Sequence, residues 1–156
     1  MDRLEYIRMK VDKVIETLSI ENQKYATIHL YGVSQCAIML AINVKIDQEL
    51  CGIAAMLHDI AYYIDNEQKD HALHSSEYAK NLLKESEMFT EAEIDIITHA
   101  ILVHSDKLVK GNAYDEVLKD SDVLQHYLYN PKLEVPQRDK VRLYYLIEYI
   151  ENAYRK

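Results

Sequence analysis

The stretch DQELCGIAAMLHDIAYY, residues 47–63, contains both the most apolar segment of the chain and its most chemically loaded pair. Asp47 is a helix N-cap residue, and from Leu50 to Leu57 the sequence is apolar on most sides of a helix. Such a segment belongs at the centre of a fold, where Gly52, Ala54 and Ala55 permit close helix approach. It ends in His58-Asp59, two ionisable groups at the mouth of a core helix. Burying them costs free energy unless they are paired or coordinate an ion. Adjacent helical residues point about 100° apart, so both can grip one ion only where the helix end faces a pocket. The plainer alternative is an aspartate hydrogen-bonded to its own helix end.

Working outward, every other segment also reads as helical. Leu4, Ile7, Val11, Val14, Ile15 and Leu18 recur at three- and four-residue steps, predicting a first helix over Asp2 to Leu18. A second is expected over Thr27 to Val44, a third from Asp47 through His58, and a polar loop over Tyr62 to Lys69. A fourth covers His71 to Lys84. Thr90 with Glu93 forms a capping box that starts a fifth reaching His104. The chain turns at Lys107 to Gly111, continues as a sixth helix over Ala113 to Tyr129, loops through Pro131 to Pro136 and closes with a seventh over Arg138 to Tyr154. With only 3 glycines and 2 prolines in 156 residues, there is little turn material for sheets. The expected fold is all-α, one domain over 1–156, a bundle of six to seven helices. Tyr144, Tyr145 and Tyr149 on the last helix are expected to pack on the core, a homodimer contact being the alternative. Cys36 and Cys51 sit in apolar patterns without CxxC spacing, as buried thiols do.

The net charge of −8 and the lack of any Lys/Arg run argue against a nucleic-acid polymer as partner. A phosphorylated small molecule still fits if a bound metal supplies the positive charge. Met1 to Glu16 carries charges throughout, so neither a secretory signal nor a membrane span is expected there, and the expected location is cytoplasmic.

Seven histidines are informative by position: His29 near a helix start, His58 in the doublet, then His71, His74, His99, His104 and His126. The order resembles the HD superfamily of metal-dependent phosphohydrolases, whose minimal signature is a histidine, a later His-Asp doublet and a distal aspartate. His29 in IHLYGV, His58 and Asp59 in MLHDIAYY, and Asp122 in LKDSDVLQHY match it in order, over roughly residues 25–130. The helix over 138–154 is then accessory. His71 in HALHSSEYA and His104 in AILVHS resemble the two further histidines of two-metal members such as symmetrical dinucleoside tetraphosphate hydrolases. His99 and His104 lie five positions apart, about 140° around a helix, and His104 is the one expected at the site. Asp120 and Asp122 point to different sides, and Ser121-Asp122-Val123-Leu124 matches the family pattern around the ligand. His99, His126 and Asp120 are expected in surface, structural or orienting roles.

The resemblance implies one or two divalent transition ions (Fe, Mn, Zn, Ni or Co), the first on His29, His58, Asp59 and Asp122, the second on His71, His104 and a bridging Asp59. It implies hydrolysis of a nucleotide or other small phosphate ester or anhydride, in which water ionised by the metal attacks phosphorus, with Asp59 central to catalysis. His74 is the expected proton donor to the leaving group. Ile60-Ala61-Tyr62-Tyr63 follows the doublet where many members place glycine and lysine, so Lys107 and Lys110 are the expected phosphate-gripping substitutes. Tyr62 is an expected substrate contact. The alternative is a catalytically silent metal-containing nucleotide-binding or signalling module.

Overall fold

The computed structural model describes residues 2–66 and 68–155. Among the described residues eight helices follow in order: α1 (Arg3–Ile15), α2 (Ile20–Val44), α3 (Gln48–Leu57), α4 (Ile60–Asp65), α5 (His71–Ser86), α6 (Glu91–Val103), α7 (Ala113–Tyr129) and α8 (Lys140–Tyr154). No strand occurs among the described residues. The fold is all-α, as the composition implies.

Side chains that satisfy orphan backbone amides mark most of the helix starts. Asp2 caps α1, Ser19 caps α2 and Asp47 caps α3. Thr90 and Glu93 form the expected reciprocal box at α6, and Asn112 with Asp115 forms another at α7. Between these starts lies α3, in which every residue from Leu50 to Leu57 is buried. It packs against α2, α6, α1 and α7. Ser34 ties α2 to it by donating to the Gly52 carbonyl at 3.0 Å. The core helix therefore delivers its C-terminal end, and with it His58, to a place surrounded by other helices.

Four expectations are corrected. The second helix begins at Ile20, not Thr27, because Ser19 caps two solvent-exposed turns that carry no apolar periodicity. The segment after the doublet is not all loop: Ile60–Asp65 forms the short α4, held by burial of Ile60 and Ala61 and ended by Asn66 in the left-handed region. The expected loop also included Glu67, which lies outside the described residues. Helix α1 ends at Ile15, with residues 16–18 in a turn. Tyr144, Tyr145 and Tyr149 are exposed (65%, 64% and 43%), since α8 turns Leu143 and Leu146 to the core and Ile147 and Ile150 against it. The aromatic positions fall on the opposite side.

Among the described residues, α2 is the helix with the length and hydropathy to cross a membrane. In this fold it packs against α3 and α7. Cys36 and Cys51 are free and buried, and burial pushes both thiols up, Cys51 to about 12.

An ionic clasp joins the chain's start to the core. The Arg3 guanidinium pairs with Glu49 at the head of α3 and with Glu93 at the head of α6, the latter at 2.8 Å. The Thr90 amide and Arg3 hold Glu93 down, from an ordinary 4.5 to about 2. A carboxylate lowered in the folded state favours folding above its ordinary range and loses that contribution as pH falls from 4.5 toward 2. Glu93→Gln keeps a capping acceptor but no charge. Its melting temperature should be lower at neutral pH and fall less steeply through that acid window. Identical acid slopes for both proteins would refute the assignment.

Candidate metal centre

Six side chains, from five helices and the break between α3 and α4, converge. His29 comes from the interior of α2, His58 is the C-cap of α3 and Asp59 forms the break before α4. His71 opens α5, His104 is the C-cap of α6 and Asp122 lies mid-way along α7. His58 and His104 thus close two apolar helices, which aims polar groups at one spot while their stems stay in the core.

The ring orientations are fixed. Nδ1 donates to a main-chain carbonyl three residues back in three cases: His58 to Ala55 and His104 to Ile101 at 2.7 Å, and His71 to Gln68 at 2.8 Å. In His29, Nδ1 donates to Gln125 Oε1 at 2.9 Å. A neutral imidazole carries one N–H, so each ring in its neutral form turns an unprotonated Nε2 inward, and a proton or a cation must sit between His29 Nε2 and His58 Nε2, 3.2 Å apart. Four lone pairs and two carboxylates face one another, an arrangement that calls for positive charge.

The carboxylates sort the nitrogens into two pairs. Asp59 Oδ2 lies 3.3 Å from His29 Nε2 and 3.4 Å from His58 Nε2, and Asp122 Oδ1 is 3.7 and 3.9 Å from the same two atoms. Asp59 Oδ1 lies 3.3 Å from His71 Nε2 and 3.2 Å from His104 Nε2. Ligand bonds of about 2.0–2.2 Å place neighbouring donors on one ion roughly 3.0–3.5 Å apart, close to these spacings. Asp59 Oδ1 and Asp122 Oδ1 are buried with no hydrogen-bond donor among the described residues. The donor set therefore fits divalent transition ions, with the orphaned oxygens as the missing contacts.

The electrostatics agree. Burial opposes ionisation of both carboxyls, yet His58 beside Asp59 and Lys107 beside Asp122 keep them below the ordinary carboxylate range. Against its own burial, His58 is raised by Asp59 and Asp122. Burial lowers His104, leaving it a neutral ring. A cluster with these shifts attracts a proton or a cation.

A cavity of about 630 Å³ opens over the cluster. Tyr25, Tyr62, Tyr63 and Tyr129 line its walls together with Gln68 and Arg138. Tyr62 thus lies where a substrate contact was expected. Lys107 also lines the cavity, but its ammonium is buried against Asp122 Oδ2 at 2.5 Å. It is a partner of the carboxylate and not the free phosphate grip the sequence suggested. Lys110 is exposed and does not line the cavity. His74 does not line it either. Its ring is half exposed and faces Asp65 of α4, 4.0 Å away: it sits one turn along α5 from His71, beyond the cavity wall that His71 forms at the helix start. His99, set aside for His104, instead pairs with buried Asp115 at 2.9 Å.

Three further residues belong to the site. Gln125 orients His29, and Ser105 Oγ lies 3.1 and 3.2 Å from the Nε2 atoms of His71 and His104. His126 lines the cavity, stacked on His29 with ring centres 5.0 Å apart and Nδ1 3.7 Å from Asp122. Gln125 and His126 stand three and four residues after Asp122, a spacing that puts all three on one face of α7. That was the available signal for them.

The family model described as HD domain matches residues 27–150. No curated protein matches the chain. The chain is similar in fold to a crystal structure of a predicted HD superfamily hydrolase from an uncultured Thermotogales bacterium. The TM-score is 0.63 at 21% identity, covering 95% of this chain and 91% of that one.

Proposed function

This chain belongs to the HD domain family, and on that premise we propose that it is a metal-dependent phosphohydrolase acting on a small phosphate ester or anhydride, a nucleotide in the first instance. One observation carries the reading: the two oxygens of Asp59 face two separate pairs of imidazole Nε2 atoms. His29, His58, Asp59 and Asp122 would hold one ion, and His71, His104 and Asp59 a second. Bound ions of the Fe, Mn, Zn, Ni or Co type would supply charge for a phosphoryl group and make water a better nucleophile near neutral pH.

The chain's own residues do the rest. The carbonyls of Ala55, Gln68 and Ile101 and the amide of Gln125 lock the four rings, so little reorganisation is needed when ligands bind. Lys107 occupies Asp122 Oδ2 and leaves Oδ1 facing the centre. Tyr62 and Tyr63 line the cavity beside Asp59, and with Tyr25 and Tyr129 they offer flat faces for a ring such as a nucleobase. Burial and Asp59 hold the Tyr63 phenol up, so that wall stays neutral. Phosphoryl transfer asks mainly for positioning and charge neutralisation, which this arrangement serves.

Elemental analysis of the purified protein should find transition metal. The apoprotein, given each ion in turn with a panel of nucleotides and phosphate esters, should turn over at least one of them only when metal is present. Tight nucleotide binding without turnover would favour the silent module. A chain with no affinity for transition ions would sink the proposal.

A further inference from the structure

Residues 104–112, between α6 and α7, bring His104, Ser105 and Lys107 to the centre without regular structure after the helix end. Side chains from the next two helices fix this segment. On one face of α7, Glu116 Oε1 accepts from the Gly111 amide at 2.9 Å, Lys119 Nζ donates to the Val109 carbonyl at 2.7 Å, and Asp122 accepts from Lys107. From α8, Arg142 Nε donates to the Lys107 carbonyl at 2.8 Å. Arg142 Nη1 donates to Glu116 at 2.9 Å and to Asp120 at 2.8 Å. The Arg142 side chain is only 12% exposed.

We propose that Arg142 is a positioning residue of the metal centre: it fixes the Lys107 backbone, which sets the Lys107 ammonium on Asp122 Oδ2 and so aims Asp122 Oδ1 at His29 and His58. The inference rests on the reading of those residues as ligands. Its physical basis is the guanidinium fork, which makes several hydrogen bonds in fixed directions where an ammonium on a flexible stem cannot. Removing it orphans the Lys107 carbonyl and takes away the cation that bridges Glu116 and Asp120, like charges four residues apart on α7, leaving only Lys119 3.6 Å from Glu116. Lys107 then has no fixed origin from which to reach Asp122. Helix α8, accessory by the sequence pattern, becomes part of the site.

The test uses the full chain, with Zn²⁺ or Mn²⁺ alone as probe. Arg142→Met should weaken ion binding by apoprotein by up to about 10–100-fold, the cost of losing Lys107, the outer partner of Asp122 that Arg142 positions. It should also speed hydrogen exchange of amides 105–111. Arg142→Lys should recover part of the affinity, and guanidinium ion at a sub-denaturing concentration should restore Arg142→Ala. Leu146→Ala, one turn along and buried in the core, supplies the comparison: it should lower the melting temperature yet leave ion affinity little changed. Wild-type affinity in Arg142→Met, or equal affinity losses in Arg142→Met and Leu146→Ala, would reduce Arg142 to a structural tie and overturn the inference. A wild-type chain that takes up neither ion would remove the ligand reading itself, and the inference with it.

Discussion

Asp59→Asn should abolish metal-dependent turnover and, in the same variant, abolish the thermal stabilisation that added ion gives the wild-type protein. Asp59 has both carboxylate oxygens in the centre, whereas Asp122 has one committed to Lys107. Asparagine keeps the size but removes the charge and one of the two acceptor oxygens, so both ion positions suffer together. Loss of turnover should exceed the ~10²–10³-fold typical of deleting one electrostatic contact. An ion present at a thousandfold its Kd stabilises the folded state by about 4 kcal/mol, which in a domain of this size is about 8–16 °C in melting temperature. Wild type should show such a shift and Asp59→Asn almost none. Without added ion the variant should melt close to wild type, because the new amide N–H can donate to one of the facing Nε2 lone pairs. Calorimetry with and without ion, beside steady-state kinetics, separates the two effects. A full ion-induced shift in the variant would show that Asp59 does not bridge.

The residues legible from sequence are those whose position is set by an abrupt local change. His58-Asp59 ends an eight-residue apolar run, and His104 ends another helix of the same character, so polarity entering a core segment marks both. Asp122 is recognisable only through the order of the motif. What escaped reading depends on partners distant in sequence. Gln125 looks like any helical glutamine until the donor to its Oε1 is found 96 residues away on His29. Lys107 reads as a solubilising or phosphate-gripping side chain, and only the fold sets it on a carboxylate 15 residues on. The short α4 escaped for a related reason. Six residues are too few to show a helical period, and the segment is held by tertiary contacts, among them the Ala61 amide donating to Ser75 at 3.1 Å. His74 failed in the opposite direction, since sharing a helix with His71 does not make it share a cavity. The tyrosines of α8 show that bulk alone does not choose a face when a stripe of leucine and isoleucine competes for the core.

Gly32→Ala should cost metal affinity while leaving the fold nearly as stable as before. Gly32 lies inside α2, three residues after His29, where α7 crosses. A Cβ built there would meet Gln125 Cγ at 2.8 Å and Nε2 at 3.2 Å. The near atom belongs to the middle of the side chain, so Gln125 must swing away from His29 instead of shifting its tip. His29 then loses the acceptor that fixes its tautomer and ring plane, a loss worth about 10–100-fold in metal affinity. Stability falls only slightly, because alanine gains about 1 kcal/mol over glycine in a helix interior, which offsets the low end of an overpacking cost of about 1–3 kcal/mol, the end that applies where the crowded neighbour is a side chain able to swing away. Titration of apoprotein with ion should therefore show weakened binding at a nearly unchanged melting temperature. Gln125→Ala should weaken binding to a similar degree, since it removes the same acceptor. In the double variant the space for the new Cβ is already open, so Gly32→Ala should add almost nothing to Gln125→Ala. Two residues acting through one hydrogen bond to His29 must be non-additive in this way. Additive losses would mean that Gly32 serves the site by some route other than making room for Gln125.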